Sequence, residues 1–275
     1  MMKMPMMSMK WRSKASFFFS ICLCSAAFLS STTLQAATEP SLQLTPFEAQ
    51  YIVYRGGKKH GEAKRYLTEQ DGVYELGYSS NISWLVFRDR RSEVSRFLLE
   101  KQHVKPLSYL MTRSGTGSSR HYELHLNQQQ QQLFVGKEQR LKADSWQPQW
   151  LDPLSFHQQL ALDVKAGKTE FSYEVLNRNG NSKTYYYRVV TEEPLALPYG
   201  TIRAIRVARV DDDPKKQVLA WLAPELDFML VRIWHGEDNV EQFDVQLHKL
   251  TLSEAVLQTL SAERNHSDDR LAVAK

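Results

Sequence analysis

The sequence predicts a mainly β protein, in which a curved antiparallel sheet closes into a partial or full barrel with one amphipathic helix across it. Three observations predict this fold class. Apolar residues recur with a period of two over most of the chain, turn-forming residues separate the runs, and a single segment shows a helical period instead. The regular alternation of strands and helices that is typical of a doubly wound fold is absent.

The first strands show the period-two pattern most clearly. Phe47, Ala49, Tyr51 and Val53 alternate with more polar residues, which predicts a strand with one buried face. The glycines and lysines of 56–59 then form a turn, so that the next run returns as a hairpin partner. Further predicted strands are 60–68, 73–80, 93–99, 104–112, 120–126, 132–135, 171–177, 183–191, 201–210, 217–222, 228–234 and 240–250.

One helix is predicted, at about 152–166. Asp152 is a suitable N-cap, Pro153 suits the first helical position, and Gly167 suits the position past the end. Apolar side chains recur every four residues from Phe156 to Val164, which places them on one face. We expect that face to cover the open side of the sheet.

The N-terminal segment 1–37 has the organisation of a secretory signal peptide. Cations at 3–14 precede the apolar run 15–29, and small residues follow up to a cleavage site near Ala36 and Ala37. The apolar run is roughly 15 residues long, which is short for a membrane span of about 20. The sequence therefore predicts secretion and no membrane-spanning segment after cleavage.

The rest of the chain is predicted to form one β-rich domain at 38–250. Beyond it, the segment 251–275 contains spaced apolar residues followed by a mixed polar and charged end. This pattern predicts a short helix and a disordered tail.

Charge and cysteine content exclude several classes of function for the exported part. The chain has 35 Lys and Arg residues against 31 Asp and Glu residues, and four cations but no acid fall within 1–37, so the remaining charges balance. A balanced chain without a concentrated basic patch argues against a nucleic-acid partner. Cys22 and Cys24 both lie in the leader and neither follows a small residue, so we expect no lipidation, disulfide or thiol chemistry.

No metal or cofactor site is predicted. His121 and His125 are four residues apart, but on a strand that spacing separates them by about 13 Å, too far to share one zinc ion. The acids at 211–213 precede Pro214 and lack the glycine and distal glutamate of a calcium loop, so they predict a turn. Phosphate-binding glycine motifs are also absent.

The aromatic residues are the strongest indication of a binding site. Trp84, Phe87, Phe156, Trp221 and Trp234 are the candidates for contact with an apolar ligand such as a lipid or acyl group. The alternative is that these side chains simply fill a large β core.

The segment 82–87 is a separate candidate, because it is apolar on both faces of a predicted strand. It is either a buried strand or a sheet edge that docks a partner. The second reading predicts a structural or assembly protein that contacts another envelope component.

An enzymatic alternative requires titratable side chains that converge in a cleft. The candidates for a hydrolase of envelope glycans or esters are Asp152, His157, Glu225, Asp227 and His235. No nucleophile elbow or catalytic cysteine accompanies them, and Asp152 already has a structural explanation as a helix cap.

A series of short motifs resembles the DUF3108 family of exported proteins. The motifs are Phe47-x-Ala49-x-Tyr51, Gly61-x-Ala63, Val104-x-Pro106-x-x-Tyr109, Asp152-Pro153-Leu154-Ser155, Pro198-x-Gly200, and Trp221-Leu222-Ala223-Pro224 running into 228–233. Leu230 departs from the pattern, since relatives tend to carry proline there. The resemblance implies a periplasmic β-rich domain of a Gram-negative cell and carries over no activity. Non-enzymatic binding of an apolar ligand or envelope component is therefore the expected function.

Overall fold

The computed structural model of the protein describes residues 43–142, 146–210, 213, 215–238 and 240–252. The predicted signal peptide at 1–37 lies outside the described residues, as does all of the predicted C-terminal segment except 251 and 252. Fourteen strands, one α-helix and one short 3-10 helix form the described part of the chain.

Most of the strands are longer than the sequence pattern predicts, and they follow the predicted order, but residues 140–142 form a strand that the pattern does not predict. They are β1 (Phe47–Arg55), β2 (Lys58–Gln70), β3 (Val73–Trp84), β4 (Phe87–Glu100), β5 (His103–Gly115), β6 (Arg120–Asn127), β7 (Gln132–Val135), β8 (Arg140–Lys142), β9 (Glu170–Leu176), β10 (Ser182–Leu197), β11 (Gly200–Val210), β12 (Lys216–Ala223), β13 (Met229–Glu237) and β14 (Val240–Leu252). The helix α1 (Phe156–Lys165) lies between β8 and β9, and the 3-10 helix Pro224–Leu226 follows β12.

All the strands belong to one antiparallel sheet in the order β8-β7-β6-β5-β4-β3-β2-β1-β14-β13-β12-β11-β10-β9. The sheet is curled but not closed, because β8 and β9 are edge strands without a common hydrogen-bond ladder. Side chains join the two ends instead. Lys142 donates to Asn181 at 2.7 Å, and Arg178 donates to the Tyr122 hydroxyl at 3.0 Å. The prediction of a curved, partly closed antiparallel sheet is confirmed.

Irregular pairing accounts for part of the curl. Register shifts interrupt six of the pairings among the described strands. The extra residues are His60 in β2, Leu107 in β5, Val190 in β10, Val231 in β13, and Gln242 and His248 in β14. Each such bulge bends its strand and increases the local right-handed twist. A sheet of this many strands curls readily, and the bulges direct the bending to particular strands.

The predicted helix is present, but it begins later than its sequence signals indicate. Pro153 lies in a turn before the helix, and the first residue of α1 is Phe156. The Asp152 carboxylate accepts the backbone N–H of Ser155 while the Ser155 hydroxyl accepts that of Asp152, a reciprocal capping box one turn before the helix. Gly167 has a φ of +79° and closes a Schellman motif, as its position in the sequence predicts.

Contacts at both ends of α1 hold it against the sheet. The Gln159 side chain accepts the N–H of Val104 at 2.8 Å and donates to the carbonyl of Gln102, both at the β4–β5 turn. Asp163 accepts the Tyr173 hydroxyl of β9 at 2.8 Å. Before the helix, Leu151 exchanges backbone hydrogen bonds with β9 as a short parallel bridge. The helix is thus fixed to both halves of the curled sheet.

Two groups of buried apolar side chains form the interior. The helix-side core contains Leu160 of α1 together with Leu76, Phe97 and Leu124 of the sheet, all at most 1% exposed. The distal core lies among β1, β2, β10, β11, β12, β13 and β14 and contains Trp221. The long β10–β11 hairpin extends to that core. At its tip, the backbone N–H of Tyr199 donates to the carbonyl of Leu247 in β14.

We expect Asp152→Ala to lower the free energy of unfolding by about 3 kcal/mol or more. The substitution leaves two backbone N–H groups and one hydroxyl without their acceptor inside the protein, each worth about 1 kcal/mol or more. Ser95→Ala is the matched control, because it removes only one of these hydrogen bonds and should cost about 1 kcal/mol. Urea unfolding of both variants measures the difference, and equal losses would show that Asp152 is not the main support of the turn.

Candidate functional site

A cavity of about 840 Å³ lies inside the curled sheet beneath the N-terminal end of the helix segment. This volume falls within the range of about 300–1,000 Å³ that is typical of small-molecule sites. Strands from both halves of the sheet line it, as do residues of α1 and of the turn before it. Aromatic and aliphatic side chains form most of its wall.

One wall is a row of side chains that crosses five neighbouring strands. Arg65 pairs with Tyr78, Tyr78 with Glu93, Glu93 with Met111, and Met111 with Tyr122. Residues that pair directly across a sheet project from the same face about 5 Å apart. All five side chains line the cavity and are called the inner row below.

The opposite wall comes from the C-terminal strands. Val218 pairs with His235 and His235 with Phe243 across β12, β13 and β14. Ile233 and Val245 form a second cross-strand pair beside them. All of these residues line the cavity together with Arg209 of β11 and Arg232 of β13, so this wall combines an apolar patch with cations.

The helix segment supplies the roof of the cavity. Pro153 and Leu154 come from the preceding turn, and Phe156 comes from the first turn of α1. The Phe156 ring lies about 6 Å from the rings of Tyr185 and Tyr187, centroid to centroid, on β10. An aromatic cluster therefore joins the roof to the wall.

Asp152 fixes the position of this roof. Its side chain is fully buried and accepts the Ser95 hydroxyl of β4 at 2.6 Å. It also accepts the backbone N–H groups of Leu154 and Ser155 at 2.8 and 2.9 Å. Burial raises the pKa of the Asp152 carboxyl, and the hydrogen bonds act in the opposite direction. All of its contacts hold the turn against the sheet.

The charged lining of the cavity is mostly cationic. One carboxylate, Glu93, faces six basic side chains, which are Arg65, Arg91, Arg178, Lys183, Arg209 and Arg232. Arg232 is neutralised by a bidentate ion pair with Asp244, at 2.8 and 2.7 Å. Arg178 and Lys183 are exposed and lie at the rim. The lining thus favours an anionic group in any occupant.

Arg65 is the one of these cations that is buried, with 7% of the residue exposed. Its Nε atom is buried and has no hydrogen-bond partner. Burial lowers the pKa of the guanidinium, which nevertheless stays charged at neutral pH. Burial raises the pKa of the neighbouring Tyr51 to about 12, and the positive charge of Arg65 opposes that shift.

Glu93, the neighbouring acid of the inner row, already has other partners. Its Oε2 atom accepts the Tyr109 hydroxyl at 2.7 Å, and its Oε1 atom lies 3.5 Å from Arg91. Burial, followed by the charge of Glu93, raises the pKa of Tyr109 far above its usual range. The phenol is therefore a permanent donor to Glu93 at physiological pH.

His157 lines the cavity next to Phe156 and is uncharged at neutral pH. Burial lowers its pKa to about 3, and the positive charge of Arg65 lowers it further in the same direction. Its Nδ1 atom has no partner. The imidazole therefore contributes a polar but neutral surface to the site.

The structure separates the five residues that the sequence nominates for ligand contact. Phe156 lines the cavity, whereas Trp221 is buried in the distal core and donates to Glu193 at 2.8 Å. Trp234 packs against the same core and donates to Glu241. Trp84 and Phe87 lie together elsewhere, at the turn between β3 and β4. A ligand-binding role for these side chains stays a prediction.

That turn is an exposed apolar surface, which we call the apolar tip (Trp84, Leu85, Val86 and Phe87). The four residues are 44%, 90%, 91% and 37% exposed. Leu85 has a left-handed backbone with a φ of +54°. The guanidinium of Arg55 lies 4.6 Å above the Trp84 ring, so a cation borders the tip. Of the two readings of segment 82–87, the exposed one describes the residues of the turn.

The five side chains of the hydrolase hypothesis do not converge. His157 and His235 line the cavity, but Asp152 is occupied by the turn and Ser95. Asp227 is bound by Thr45 and by Lys165 beside a separate small pocket that Glu225 does not line. No arrangement of acid, base and nucleophile follows from their positions.

His121 and His125 lie on the outer face of β6 and flank Glu123. The two imidazoles contact its carboxylate at 3.1 and 2.8 Å, which lowers the pKa of Glu123. Within the part of the chain that the structure describes, no three His, Cys, Asp or Glu side chains are grouped as a metal site. Among the same residues, no helix has the length and apolar character needed to cross a bilayer.

None of the five inner-row residues is among the site residues that the sequence predicts. An isolated cation in the second strand, flanked by Ala63 and Leu67 on the same face, is the signal that points to Arg65. Strand register, which the sequence alone leaves open, decides that these side chains share one cavity.

Comparison with other proteins identifies the family and the fold. Residues 50–244 match the family described as "Protein of unknown function (DUF3108)". A β-barrel-like protein of the DUF1849 family from Brucella abortus is similar in structure, with a TM-score of 0.50 and 10% sequence identity over 78% of this chain and 100% of that chain. This likeness concerns the fold.

A DUF1089 family protein from Pseudomonas aeruginosa is more distantly similar, with a TM-score of 0.32 and 8% identity over 62% of this chain and 87% of that chain. Among curated proteins, no sequence matches the chain. The chemistry of the cavity is therefore the main guide to function.

We expect His157→Gln to make the protein less sensitive to acid. A folded-state pKa of about 3 means that the unfolded chain binds the proton first, so His157 contributes stability above pH 6.5 that is lost as pH falls toward 3. Between pH 7 and pH 5 the variant should lose up to about 2 kcal/mol less unfolding free energy than the wild type. Urea unfolding at both pH values measures this.

The exposed-histidine variant His103→Gln controls for the loss of an imidazole as such. An equal acid-induced loss in His157→Gln and wild type would contradict the neutral state of His157.

Proposed function

The chain belongs to the DUF3108 family, and we propose that it is a non-enzymatic protein that binds an amphipathic molecule with an apolar chain. The observation that carries the proposal is the roughly 840 Å³ cavity, which is walled by aromatic and aliphatic side chains. The roof is held by the Asp152 turn, and both walls belong to one sheet.

The composition of the lining favours binding over catalysis. Two of its titratable groups, Tyr109 and His157, have shifted pKa values that keep each of them in one protonation state. General acid-base catalysis works best with a group whose pKa lies near the working pH. These two side chains are far from that condition.

We place the protein in the periplasm as part of the same proposal. The support is the N-terminal segment 1–37, with its basic, apolar and small-residue regions in order. A periplasmic protein that encloses an acyl chain would shield it from water near the membranes that supply such chains.

Blocking the cavity should weaken ligand binding without unfolding the protein. In Val218→Trp the indole enters the space from β12 and competes with the ligand, whereas Val240→Trp adds the same ring at an exposed position. We expect the fluorescence titration of an acyl-chain dye to show at least about tenfold weaker binding for the first variant only. Equal binding by both variants would contradict the assignment of the cavity.

Native mass spectrometry and lipid extraction of protein purified from the periplasm provide the second measurement. Wild type should carry a bound acyl molecule, and Val218→Trp should be recovered without it. Wild type that is empty and also fails to bind the dye would refute the proposed function.

The apolar tip supports a second proposal, that the protein docks on an anionic lipid surface. Leu85 and Val86 are almost fully exposed at the end of a hairpin, where they can enter a bilayer interface without rearrangement. Arg88 and Arg90 follow them and are exposed, and Arg55 borders Trp84. Apolar side chains surrounded by cations fit a negatively charged membrane surface better than an apolar protein groove.

Removing the apolar character of the tip should prevent this docking. We expect Leu85→Asp/Val86→Asp to lose cosedimentation with phosphatidylglycerol-containing vesicles, while Val190→Asp, an exposed valine outside the tip, retains it. Binding of the wild type should fall with added salt and with vesicles of phosphatidylcholine alone. If the wild type cosediments with no vesicles but is crosslinked through the tip to an envelope protein, the lipid surface is refuted as the partner.

A further inference from the structure

We propose that Arg65 is the anchor for a terminal oxyanion of the bound ligand, so that the ligand is an acyl or alkyl chain ending in a carboxylate or phosphate. The inference rests on the proposed binding function and specifies its ligand class. It is carried by a buried guanidinium that faces the cavity while its Nε atom lacks a partner.

The first step is the hydrogen bonding of Arg65 in the protein alone. Among the described residues, its buried Nε atom has no hydrogen-bond partner, and Glu93 acts on the guanidinium only through its charge. A buried cation without a counter-ion is costly, because desolvation is not compensated. Proteins retain such a group where another molecule supplies the missing charge.

The second step explains why Glu93 does not act as the counter-ion of Arg65. Glu93 is the nearest acid in the inner row, two strands away from Arg65, with Tyr78 between them. Its two oxygens are taken by Tyr109 and Arg91. Glu93 therefore attracts Arg65 only at a distance, which is insufficient to satisfy five N–H donors.

The third step concerns the surroundings that an anion would meet. Tyr51 and Tyr78 line the cavity on either side of Arg65, and burial keeps both hydroxyls protonated by raising their pKa values. The Tyr51 hydroxyl donates to the Leu230 carbonyl at 2.7 Å. Between these two neutral phenols, the planar guanidinium of Arg65 has the geometry to bind two oxygens of one carboxylate or phosphate in parallel.

The fourth step is the chemistry of the remaining space. Phe156, Leu230 and Ile233 line the same cavity and offer no charge to a second polar group. A small hydrated anion would leave this apolar surface uncovered. An anionic head with an unbranched apolar chain satisfies both the guanidinium and the wall.

The rim cations Arg178 and Lys183 are exposed, unlike the buried Arg65. Arg178 is exposed and donates to the Tyr122 hydroxyl at 3.0 Å, so water and a neighbour already satisfy it. Rim charges attract anions from solution but are screened by salt. Selectivity for the head group is therefore assigned to Arg65 and not to Arg178.

The test compares three C16 probes that share one chain: hexadecanoate, hexadecyl phosphate and hexadecanol. Each displaces an acyl-chain dye from wild type, Arg65→Leu and Arg178→Leu at constant ionic strength. We expect wild type and Arg178→Leu to prefer one or both oxyanions over the alcohol by about 30-fold or more. Arg65→Leu should bind all three with affinities within about threefold.

The outcomes separate this inference from the proposed function. If no probe displaces the dye and none binds wild type, the binding function itself fails. If wild type binds all three equally, or Arg65→Leu keeps the oxyanion preference, the binding function stands and the anchor is refuted. The order of the two oxyanions identifies the head group as carboxylate or phosphate.

A stability measurement excludes a purely structural role for Arg65. Without ligand, Arg65→Leu should unfold at a higher urea concentration than wild type, since an unpaired buried charge is replaced by an apolar side chain. Hexadecanoate should raise the midpoint of wild type by more than that of the variant, which binds it without the anchor. A lower midpoint in ligand-free Arg65→Leu would show that the guanidinium supports the fold and would overturn the inference.

Discussion

The buried carboxylate of Asp152 is the interaction on which the rest of the structure depends. A curled sheet with two edge strands does not close its own interior, and the helix segment is the element that covers it. Asp152 binds that segment to β4 through Ser95 and orders the turn through two backbone N–H groups. Because all three donors lie inside the protein, water cannot replace the carboxylate.

The roof fixed in this way determines the character of the cavity. The turn carries Leu154 and Phe156 over the inner row, so that charged and phenolic groups are removed from water while an apolar space remains beside them. Arg65 is stable in that position only because the surrounding core and sheet outweigh its desolvation. The same burial that makes Arg65 costly in the empty protein gives it strength toward an anion, since a low dielectric increases charge–charge attraction.

The sequence patterns predicted local structure well where the physical cause is local. Alternating side chains identify strands because a strand has a period of two, and the Asp152 capping box and Gly167 bracket the helix segment through interactions within a few residues. The start of α1 was predicted too early. The capping box forms on Asp152 as expected, but it caps an irregular turn, and regular helix begins only at Phe156.

What the sequence by itself determined is the β-rich class of the fold, the helix that follows Asp152, the family, and the absence of cysteine beyond residue 37. Only the tertiary structure decided which aromatic side chains share a space. Trp221 and Ala220 are neighbours in the chain but belong to different cores, because successive residues of a strand point to opposite faces. The inner row likewise exists through register: the pairing of five strands places Arg65 in line with Tyr78 and Glu93, and a shift of one residue in β2 would turn Arg65 away from the cavity.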